Sequence, residues 1–583
     1  SGDIFVGTMK NLDGNGGSVI LKSESGNLNS WSIYSDYQNI IENDNENNIP
    51  GRVILTSSKN NPNFIYAVFG AGFLNSMNFN LSYGSYIIKS TNGGNNWSEI
   101  NIPTSEPNEW ASLAWHALAL SVHPEDPSIL FAGGLELYRS LDGGQTWDDL
   151  SDWSLMYYGG GSRYIHADIH QVIFDPNNPD AIAVSTDGGL FYSLNSLAES
   201  ENVIFNERNQ GYNTLQFYTC DISSEQSGDF YVGGLQDNGT LGVGFAQDQD
   251  GLFDINDMIT GGDGAFCFFD DDEPILATST YYNAWYFFNY QTNEFEYVNN
   301  NSGVFINPSD YDSGNNTLYA NKVRFNGTQN NRLIKIDENF ETNTINLNTN
   351  TSVYFSSVKV SSFSPNNETT LFLGTQSGRL YKIQNIDNPN AVEIGDSDFP
   401  TANISSISLG NNENEIMVTF SNYGVSSIWF SLNGGYDWIE KEGNLPDMPV
   451  RWGLLHSEDN NYAMIATEIG VWETNNFLMD SVIWFPSSNG LGNVRVDMLS
   501  LRESDNAVVA ATHGRGLYRT HFTLNNQLNG DLNNDNNINV LDVVLLVALI
   551  IDNGNYSQFA DINIDNEINI LDVVLLLNII LDF

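Results

Sequence analysis

A short turn motif occurs three times in the chain and restricts the fold more than any other feature of the sequence. It reads Ser-x-Asp-x-Gly-x-x-Trp in residues 140–147, and close copies with Asn at the third position occupy residues 90–97 and 431–438. Asp or Asn can hydrogen-bond its own backbone two residues on, glycine accepts a positive φ, and Trp buries a large surface beside the returning strand. The motif therefore predicts strand–turn–strand units whose turns are fastened by Asn92, Trp97, Asp142, Trp147, Asn433 and Trp438.

The turn motif belongs to a longer repeat. Residues 118–140 read as an inner strand, an Asp-Pro-rich turn, a second strand and a third strand that ends in the motif. The corresponding positions Asn92, Asp142 and Asp187 are 50 and 45 residues apart (142 − 92; 187 − 142). Units of this length are typical of four-stranded propeller blades. The sequence predicts an all-β propeller of about ten blades over residues 1–522.

The three turns resemble the Asp-box hairpins of sialidase-type and sortilin-type β-propellers. This resemblance implies that each box staples a blade and takes no part in catalysis. We favour one large ring, similar to the single ring of the sortilin type. The alternative is two unequal rings, because xyloglucanase-type glycoside hydrolases have two. Residues 1–6 read like a second strand rather than an inner one, so we expect an inner strand to be missing before them.

The charge of the chain argues against several classes of partner. Its 21 Lys and Arg residues stand against 72 Asp and Glu, which gives a formal net charge of -51. This charge argues against nucleic acid and anionic membrane surfaces as partners, whereas calcium and cationic partners fit. No apolar run approaches the roughly 20 residues that cross a bilayer, so we expect no membrane span.

Cellular location has to be inferred indirectly. No signal peptide is seen, and Ser1 is interpreted as a processed start. The two cysteines, Cys220 and Cys267, have no metal-ligand spacing and are too few for a disulfide framework. Whether they pair with each other is left open by the sequence. Secretion is expected from domain content alone.

Two copies of a twelve-residue acidic loop follow the propeller, at residues 531–542 and 561–572, 30 residues apart (561 − 531). Each places oxygen-bearing side chains at loop positions 1, 3, 5, 9 and 12 and a backbone carbonyl at position 7, which is the spacing that wraps Ca²⁺ in an EF-hand. Asn replaces the usual Gly at position 6, and Asn tolerates the left-handed conformation of that turn. The sequence predicts two Ca²⁺ ions, held by Asp531, Asn533, Asp535, Asn537, Asn539 and Asp542, and by Asp561, Asn563, Asp565, Glu567, Asn569 and Asp572.

Each loop leads into an apolar segment, residues 543–551 and 573–581, which we predict to be helical. Both are apolar on nearly every face, so more than one side should be buried. The duplicated loop and helix resemble a dockerin, an all-α module that binds cohesins in extracellular polysaccharide-degrading assemblies. Positions 10 and 11 depart from the cellulosomal Ser-Thr pattern, so the partner's identity is not carried over. The surface predicted to meet a cohesin-like protein, a neighbouring subunit or the chain's own propeller is Val540, Leu541, Val544, Ile570, Leu571 and Val574.

The predicted domains are thus the propeller (1–522), a short polar linker (523–530) and the dockerin-like module (531–583).

Within the propeller, His166, Asp168 and His170 alternate, and in a strand they would share one face. Such a face suits a metal site, an acid–base site or a buried hydrogen-bonded network.

The catalytic candidates are Asp168, Asp237 and Asp263, of which the latter two lie in glycine-rich stretches. These stretches also resemble secreted bacterial propellers of the xyloglucanase type. An inverting glycosidase needs two carboxylates about 6.5–9.5 Å apart, a distance that a sequence does not give. A sialidase is disfavoured because no arginine triad is recognisable.

Two hypotheses of function follow. The favoured one is a secreted or cell-surface propeller that binds glycan or protein, or serves as a structural component, and is fastened through the calcium module. The alternative is a glycoside hydrolase of the xyloglucanase-like type acting on polysaccharide.

Overall fold

The computed structural model describes most of the chain. The described residues are 2–9, 17, 19–34, 49–74, 80–104, 110–224, 230–247, 253–292, 294–324, 330–349, 354–365, 368–395, 399–487, 490–524, 530–533, 538–551, 557, 559–563, 565 and 567–581. The chain divides into two compact units, unit 1 (Ser1–Asn213) and unit 2 (Thr214–Phe583). Each unit is built from small antiparallel sheets whose strands follow one another in chain order.

Unit 1 contains four of these sheets among its described residues, one of three strands and three of four. The three-stranded sheet comprises β1 (Ile4–Gly7), β2 (Ile20–Ser23) and β3 (Trp31–Tyr34). The others are β4 (Ile49–Ser57), β5 (Ile65–Leu74), β6 (Asn80–Ser90) and β7 (Ser98–Ile100); β8 (Ala119–Val122), β9 (Leu130–Gly133), β10 (Leu137–Ser140) and β11 (Asp148–Asp149); and β12 (Ile169–Phe174), β13 (Ile182–Thr186), β14 (Gly189–Ser193) and β15 (Asn206–Glu207).

Unit 2 contains seven sheets among its described residues. The first three comprise β16 (Asp221–Ile222), β17 (Tyr231–Gly234), β18 (Thr240–Gln247) and β19 (Phe253–Thr260); β20 (Cys267–Phe269), β21 (Ile275–Thr280), β22 (Ala284–Asn289) and β23 (Glu294–Asn299); and β24 (Ser309–Asp312), β25 (Thr317–Asn321), β26 (Arg332–Ile336) and β27 (Thr342–Asn346). The last four comprise β28 (Phe355–Val360), β29 (Leu371–Thr375), β30 (Leu380–Ile383) and β31 (Val392–Glu393); β32 (Ile404–Leu409), β33 (Ile416–Phe420), β34 (Ile428–Ser431) and β35 (Ile439–Glu440); β36 (Val450–Leu455), β37 (Ala463–Thr467), β38 (Gly470–Thr474) and β39 (Phe485–Pro486); and the three strands β40 (Val496–Arg502), β41 (Ala507–Thr512) and β42 (Leu517–His521).

The seven sheets of unit 2 close into a ring. First strands of consecutive sheets contact each other at β16–β20, β24–β28, β28–β32, β32–β36 and β36–β40, and β16 of the first sheet contacts β40 of the last. Between the second and third sheets, the Tyr311 hydroxyl of β24 donates to Asp270, just after β20, at 2.9 Å. The segment before β16 completes the closure, because the Phe217 amide donates to the Thr512 carbonyl at 2.9 Å and the Gly516 amide donates to the Leu215 carbonyl at 2.9 Å. This is the arrangement of a seven-bladed propeller. The favoured expectation of a single ring is therefore wrong, because the sheets are shared between two units. The described sheets number eleven, close to the predicted ten blades.

The burial of each strand follows its place in the sheet. The second strands β29, β33, β37 and β41 are buried at every residue, whereas the short outer strands β31 and β35 are exposed. A second strand lies between neighbouring sheets and is covered on both faces, which requires a nearly continuous apolar run such as Ile416–Phe420. Hydrophobic clusters accordingly join residues of adjacent sheets.

Many first strands carry a one-residue bulge near their start. A bulge re-aims a side chain out of the regular alternation. Ser356 Oγ thereby donates to the Ile404 carbonyl and Ser405 Oγ to the Val450 carbonyl of the following sheet, each at 2.7 Å. The bulged residues are Gly51, His170, Ser356, Ser405, Arg451 and Asp497.

The three turn motifs share one pattern of hydrogen bonds. In the second copy Ser140 Oγ donates to Asp142 Oδ1 at 2.9 Å and accepts from the Gly144 amide at 2.8 Å, while Thr146 N donates to Asp142 Oδ1 at 2.9 Å. These bonds hold the pKa of Asp142 at about 2 although partial burial acts to raise it. The Trp147 indole donates to the carbonyl of Asn101, just after β7 of the preceding sheet, at 2.8 Å.

The structure also answers the questions that the sequence raises about β1 and about the two cysteines. β1 is not a second strand with its inner neighbour missing, because it contacts β4, the first strand of the next sheet, and the Val53 amide donates to the Thr8 carbonyl at 3.1 Å. Cys220 and Cys267 are both buried and free, so they form no disulfide with each other. Among the described residues, no helix is long and apolar enough to cross a membrane.

Two helices end the chain, α1 (Val540–Ile551) and α2 (Ile570–Ile580). Both begin three residues earlier than predicted, because the last three loop positions already form the first helical turn. The Asn569 side chain caps α2 by accepting from the Leu571 amide, and the Asp572 carboxylate accepts from the Asn569 amide. Leu546, Ala560, Val573 and Leu576 form a small core between the two repeats.

Candidate functional site

The two glycine-rich stretches of unit 2 meet at one end of their sheets. The Gly264 amide donates to the Leu235 carbonyl at 2.8 Å, and the Asp237 amide donates to Asp263 Oδ1 at 3.2 Å. Gly239 lies so close to the second stretch that a Cβ there would fall 1.7 Å from the Thr260 carbonyl oxygen. Only glycine permits this approach, and it brings the candidates Asp237 and Asp263 together.

Asp263 lies in a different electrostatic environment from Asp237. Burial raises the pKa of Asp263, and the negative charge of Asp237 raises it further. The Tyr218 hydroxyl donates to Asp263 and partly opposes this rise. The pKa of Tyr218 is itself raised, chiefly by burial and then by the two carboxylates, so Tyr218 stays a proton donor. Asp263 thus keeps its proton to a higher pH than an ordinary aspartic acid.

An exposed aromatic platform stands beside this pair. The rings of Tyr281 and Phe305 stack with centroids 5.6 Å apart and planes inclined by 4°, and Tyr282 meets Phe305 edge-on at 5.8 Å. Their exposed fractions are 43%, 42% and 38%. Tyr281 Cε1 lies 3.7 Å from the point that a Cβ on Gly262 would occupy, so the platform adjoins the residue before Asp263.

A network of charges lies around the bulge of β40. Asp497 Oδ1 accepts from Arg495 at 2.6 Å, and its Oδ2 lies 3.2 Å from His513 Nδ1. Arg451, the bulged residue of β36, contacts Glu468 at 2.7 Å. Asp497 also raises the pKa of Tyr218, which places this network on the same side of unit 2 as Asp263.

Unit 1 holds a different cluster, formed by His116, His170 and Asp187. His116 Nε2 lies 2.9 Å from Asp187 Oδ2, and His170 Nε2 contacts Asp187 Oδ1. The two imidazole rings stand at 87° with centroids 4.9 Å apart. The hydrogen bond to Asp187 is the main reason that the pKa of His170 is raised. The three side chains converge on one point of the surface.

The predicted His166–Asp168–His170 face does not form. β12 begins only at Ile169, and Asp168 has a φ of 63°, which reverses the alternation before the strand. His166 is buried beneath Gly188, where a Cβ would fall 2.2 Å from the imidazole Cγ. Asp168 holds the turn through its carbonyl, which accepts from the Asp187 amide at 3.3 Å.

Sequence reasoning missed His116 and the role of Asp187. The repeat identifies Asp187 only as the position that corresponds to Asn92 and Asp142, although it occupies the tight turn between β13 and β14. His116 comes from an irregular turn in which its amide donates to the Leu113 carbonyl at 2.8 Å. Nothing in the sequence marks such a residue as a neighbour of His170.

The C-terminal loops bring their acidic side chains inward. Asp531, Asp542, Asp561 and Asp572 are at most 1% exposed. Asp542 accepts from the Leu532 and Asn539 amides, and Asp572 accepts equivalently from the Ile562 and Asn569 amides, at 2.8–2.9 Å. The two loops therefore fold alike.

The second loop shows how the remaining oxygens converge. The Asp565 amide lies 3.2 Å from both Asp561 Oδ1 and Asn563 Oδ1, and the Glu567 amide donates to Asp565 Oδ1 at 2.8 Å. In the first loop, Asn533 and Asn539 are described, whereas the predicted ligands Asp535 and Asn537 lie outside the described residues.

The apolar surface predicted for the two helices is exposed. Its members are 49–65% exposed, so the chain's own propeller does not cover them. These six residues are Val540, Leu541, Val544, Ile570, Leu571 and Val574.

Comparison with known proteins supports the fold. No family model matches the chain, and no curated protein matches it. The crystal structure of a GH74 xyloglucanase from Xanthomonas campestris superposes with a TM-score of 0.55 at 15% identity, covering 89% of this chain and 72% of that one. The fold places the protein in the β-propeller class. At 15% identity, this similarity supports the fold and assigns no function.

Proposed function

We propose that the protein is an extracellular propeller that binds polysaccharide at the end of unit 2 and is fastened through its C-terminal calcium module. The observation that carries the binding function is the Tyr281–Phe305 platform beside Asp263. Stacked aromatic rings offer a flat apolar face that is held in place before any ligand arrives. The C–H face of a sugar ring is complementary to such a surface.

Polar groups next to the platform provide the second half of the argument. Sugar hydroxyls need hydrogen-bond acceptors, and Asp237 is exposed while Asp263 is partly buried beside it. A few polar groups at the edge of an aromatic surface fix the orientation of a ligand. The name of the GH74 structure refers to xyloglucan, which supports a β-glucan among the first ligands to test.

The proposed attachment rests on the donor set of the two loops. Four nearly inaccessible carboxylates with converging amide oxygens are hard ligands, and they fit Ca²⁺. A bound Ca²⁺ would neutralise carboxylates that otherwise repel one another. The exposed six-residue apolar surface, repeated with the loops, then fits a cohesin-like protein or a neighbouring subunit. This arrangement supports a secreted or cell-surface location.

The test is a binding measurement on the intact chain with xyloglucan and a panel of other soluble polysaccharides. Tyr281→Ala and Phe305→Ala should each weaken retardation in affinity electrophoresis, because each removes one of the two stacked rings. Tyr436→Ala is a matched control, since Tyr436 is 87% exposed in the third turn motif and far from the platform in sequence. Equal binding by all three variants would contradict the proposed site.

A glycoside hydrolase is the second candidate, favoured by the raised pKa of Asp263 next to the exposed carboxyl group of Asp237. A carboxyl that keeps its proton can protonate a glycosidic oxygen, while a neighbouring carboxylate activates water or attacks the sugar. A reducing-sugar assay on the same panel distinguishes the candidates. Activity that disappears in Asp263→Asn while binding persists would make the protein an enzyme. Binding without release of reducing ends would leave the binding function alone.

A further inference from the structure

We propose that unit 1 contains a site for one borderline divalent transition-metal ion, of the Zn²⁺ class, formed by His116, His170 and Asp187. Each residue supplies one ligand atom, and these atoms all lie within 4.8 Å of one another. Two imidazole nitrogens and a carboxylate oxygen are the donors of many three-ligand zinc sites. The site is separate in sequence and in chemistry from the oxygen-rich C-terminal loops.

The distances suit a small cation after minor side-chain rotation. Zn²⁺ lies about 2.0–2.2 Å from nitrogen and oxygen ligands, so tetrahedral ligand atoms stand roughly 3.3 Å apart. The separation of 2.9 Å between His116 Nε2 and Asp187 Oδ2 is close to this value. Both imidazoles present Nε2 to the same carboxylate, one to each oxygen, and a metal ion would replace these hydrogen bonds.

The backbone holds the donors before any ion binds. His170 is the bulged residue of β12, between the pairs Ile169–Thr186 and Gln171–Ser185, and the bulge directs its ring out of the sheet. Asp187 occupies the hairpin turn whose Gly188 rests on His166. A site built on strands and a tight turn keeps its geometry better than one on long loops.

The third donor is fixed from another sheet. Arg52 on β4 donates to the His116 carbonyl at 2.7 Å, which anchors the backbone that carries the imidazole. The guanidinium brings a positive charge near the site. The negative charges of Asp187 and Asp168, which both interact electrostatically with His170, offset it. The net charge of -51 also raises the local concentration of cations.

Three protein ligands leave at least one coordination position open. The side chains of His116 and His170 are 36% and 35% exposed, so water or a ligand can reach a bound ion. The exposed Trp115 ring lies beside His116, with centroids 5.3 Å apart. The arrangement therefore fits an ion that holds an exchangeable ligand, unlike a closed structural site.

The experiment uses the full chain, stripped with chelator, saturated with Ca²⁺ to fill the C-terminal loops, and titrated with Co²⁺ as a spectroscopic probe. We expect one saturable equivalent with visible absorption typical of nitrogen ligation, displaced by Zn²⁺. His116→Gln and His170→Gln should each abolish this absorption while the circular dichroism spectrum stays unchanged. Zn²⁺ should raise the Tm of the parent chain and leave that of the two variants unchanged.

Two control variants locate the signal. His521→Ala removes an exposed histidine outside the cluster, and Asp561→Ala removes a predicted calcium ligand; both should retain the Co²⁺ absorption. Absence of a saturable equivalent in the parent chain would overturn the proposal and leave Asp187 as a hydrogen-bonded partner of two histidines. Unchanged Co²⁺ binding by His116→Gln and His170→Gln would overturn it equally.

Discussion

Ser500 Oγ donates a hydrogen bond of 2.6 Å to Asp221 Oδ1, and these two residues, 279 positions apart, join the last sheet of unit 2 to its first. The other carboxylate oxygen accepts from the Phe269 amide of the second sheet at 2.7 Å. One side chain thus connects three consecutive sheets at the ring closure. Burial raises the pKa of Asp221 to about 6 despite these hydrogen bonds.

Replacing Asp221 with Ala should destabilise unit 2, because the Phe269 amide and the Ser500 hydroxyl lose their acceptor. The expected loss in free energy of unfolding is about 1–3 kcal/mol for each buried group left without a partner. Ser500→Ala should cost less, since Asp221 keeps its bond to Phe269. Urea denaturation of the three proteins measures this order, and equal stability of all three would contradict the role in closure.

Asp221 should also make stability depend on pH. A carboxyl whose pKa is higher in the folded chain binds more protons folded than unfolded, so stability falls as pH rises from the ordinary value of 3.8 to about 6. Asp221→Asn removes this titration. The difference in Tm between the parent chain and Asp221→Asn should shift in favour of the variant across that interval and then level off. A difference that stays constant with pH would show that Asp221 does not titrate there.

The turn motifs should contribute to stability rather than to ligand binding. Trp147 is half-buried and its indole bonds to the preceding sheet, so Trp147→Ala should destabilise by about 2–3 kcal/mol, less than the 3–5 kcal/mol of a fully buried aromatic. Trp438→Ala should act alike, since its indole donates to the Ile394 carbonyl at 2.8 Å. Both variants should bind polysaccharide normally below their Tm, and selective loss of binding in a stable variant would assign the motif a functional role.

Local signals in the sequence predicted strands and turns well. The nearly continuous apolar run Ile416–Phe420 predicts a strand, and in the structure every residue of it is buried. Asp142 predicts a turn, and in the structure its side chain accepts hydrogen bonds from nearby amides. Ring closure has no such signal. It depends on the contact between β40 and the two-residue strand Asp221–Ile222, which lie far apart in the chain.

The candidate sites were predictable only where the chain stays regular. Asp237 and Asp263 lie in glycine-rich stretches, and glycine marks the close approach that joins them. The positive φ of Asp168 breaks the alternation from which the histidine face was inferred. His116 was missed because a residue in an irregular segment has no periodicity from which its neighbours follow.

Calcium should bind in two equivalents through the C-terminal loops. Asp542→Ala and Asp572→Ala should each remove one equivalent, because each deletes the carboxylate that ties the start of its loop to its helix. Elemental analysis after gel filtration measures the stoichiometry, and limited proteolysis with chelator should cleave within residues 523–583. Asp505→Ala, which removes an acidic residue of the propeller, serves as the control. Retention of both ions by the loop variants would refute the predicted ligands.

The exposed apolar surface of α1 and α2 should mediate assembly. Leu541 and Leu571 occupy equivalent places in the two repeats and are 60% and 56% exposed, an unfavourable state for large apolar side chains in a lone monomer. If this surface meets a second copy of the chain, Leu541→Glu combined with Leu571→Glu should convert an oligomer into a monomer in multi-angle light scattering. Leu28→Glu, at a residue 92% exposed in unit 1, should leave the oligomer intact. A parent chain that is monomeric with and without Ca²⁺ would exclude self-assembly and leave a cohesin-like protein as the partner. Capture of the chain by a panel of immobilised cohesins tests that partner. Capture should be lost in the double variant and retained in Leu28→Glu.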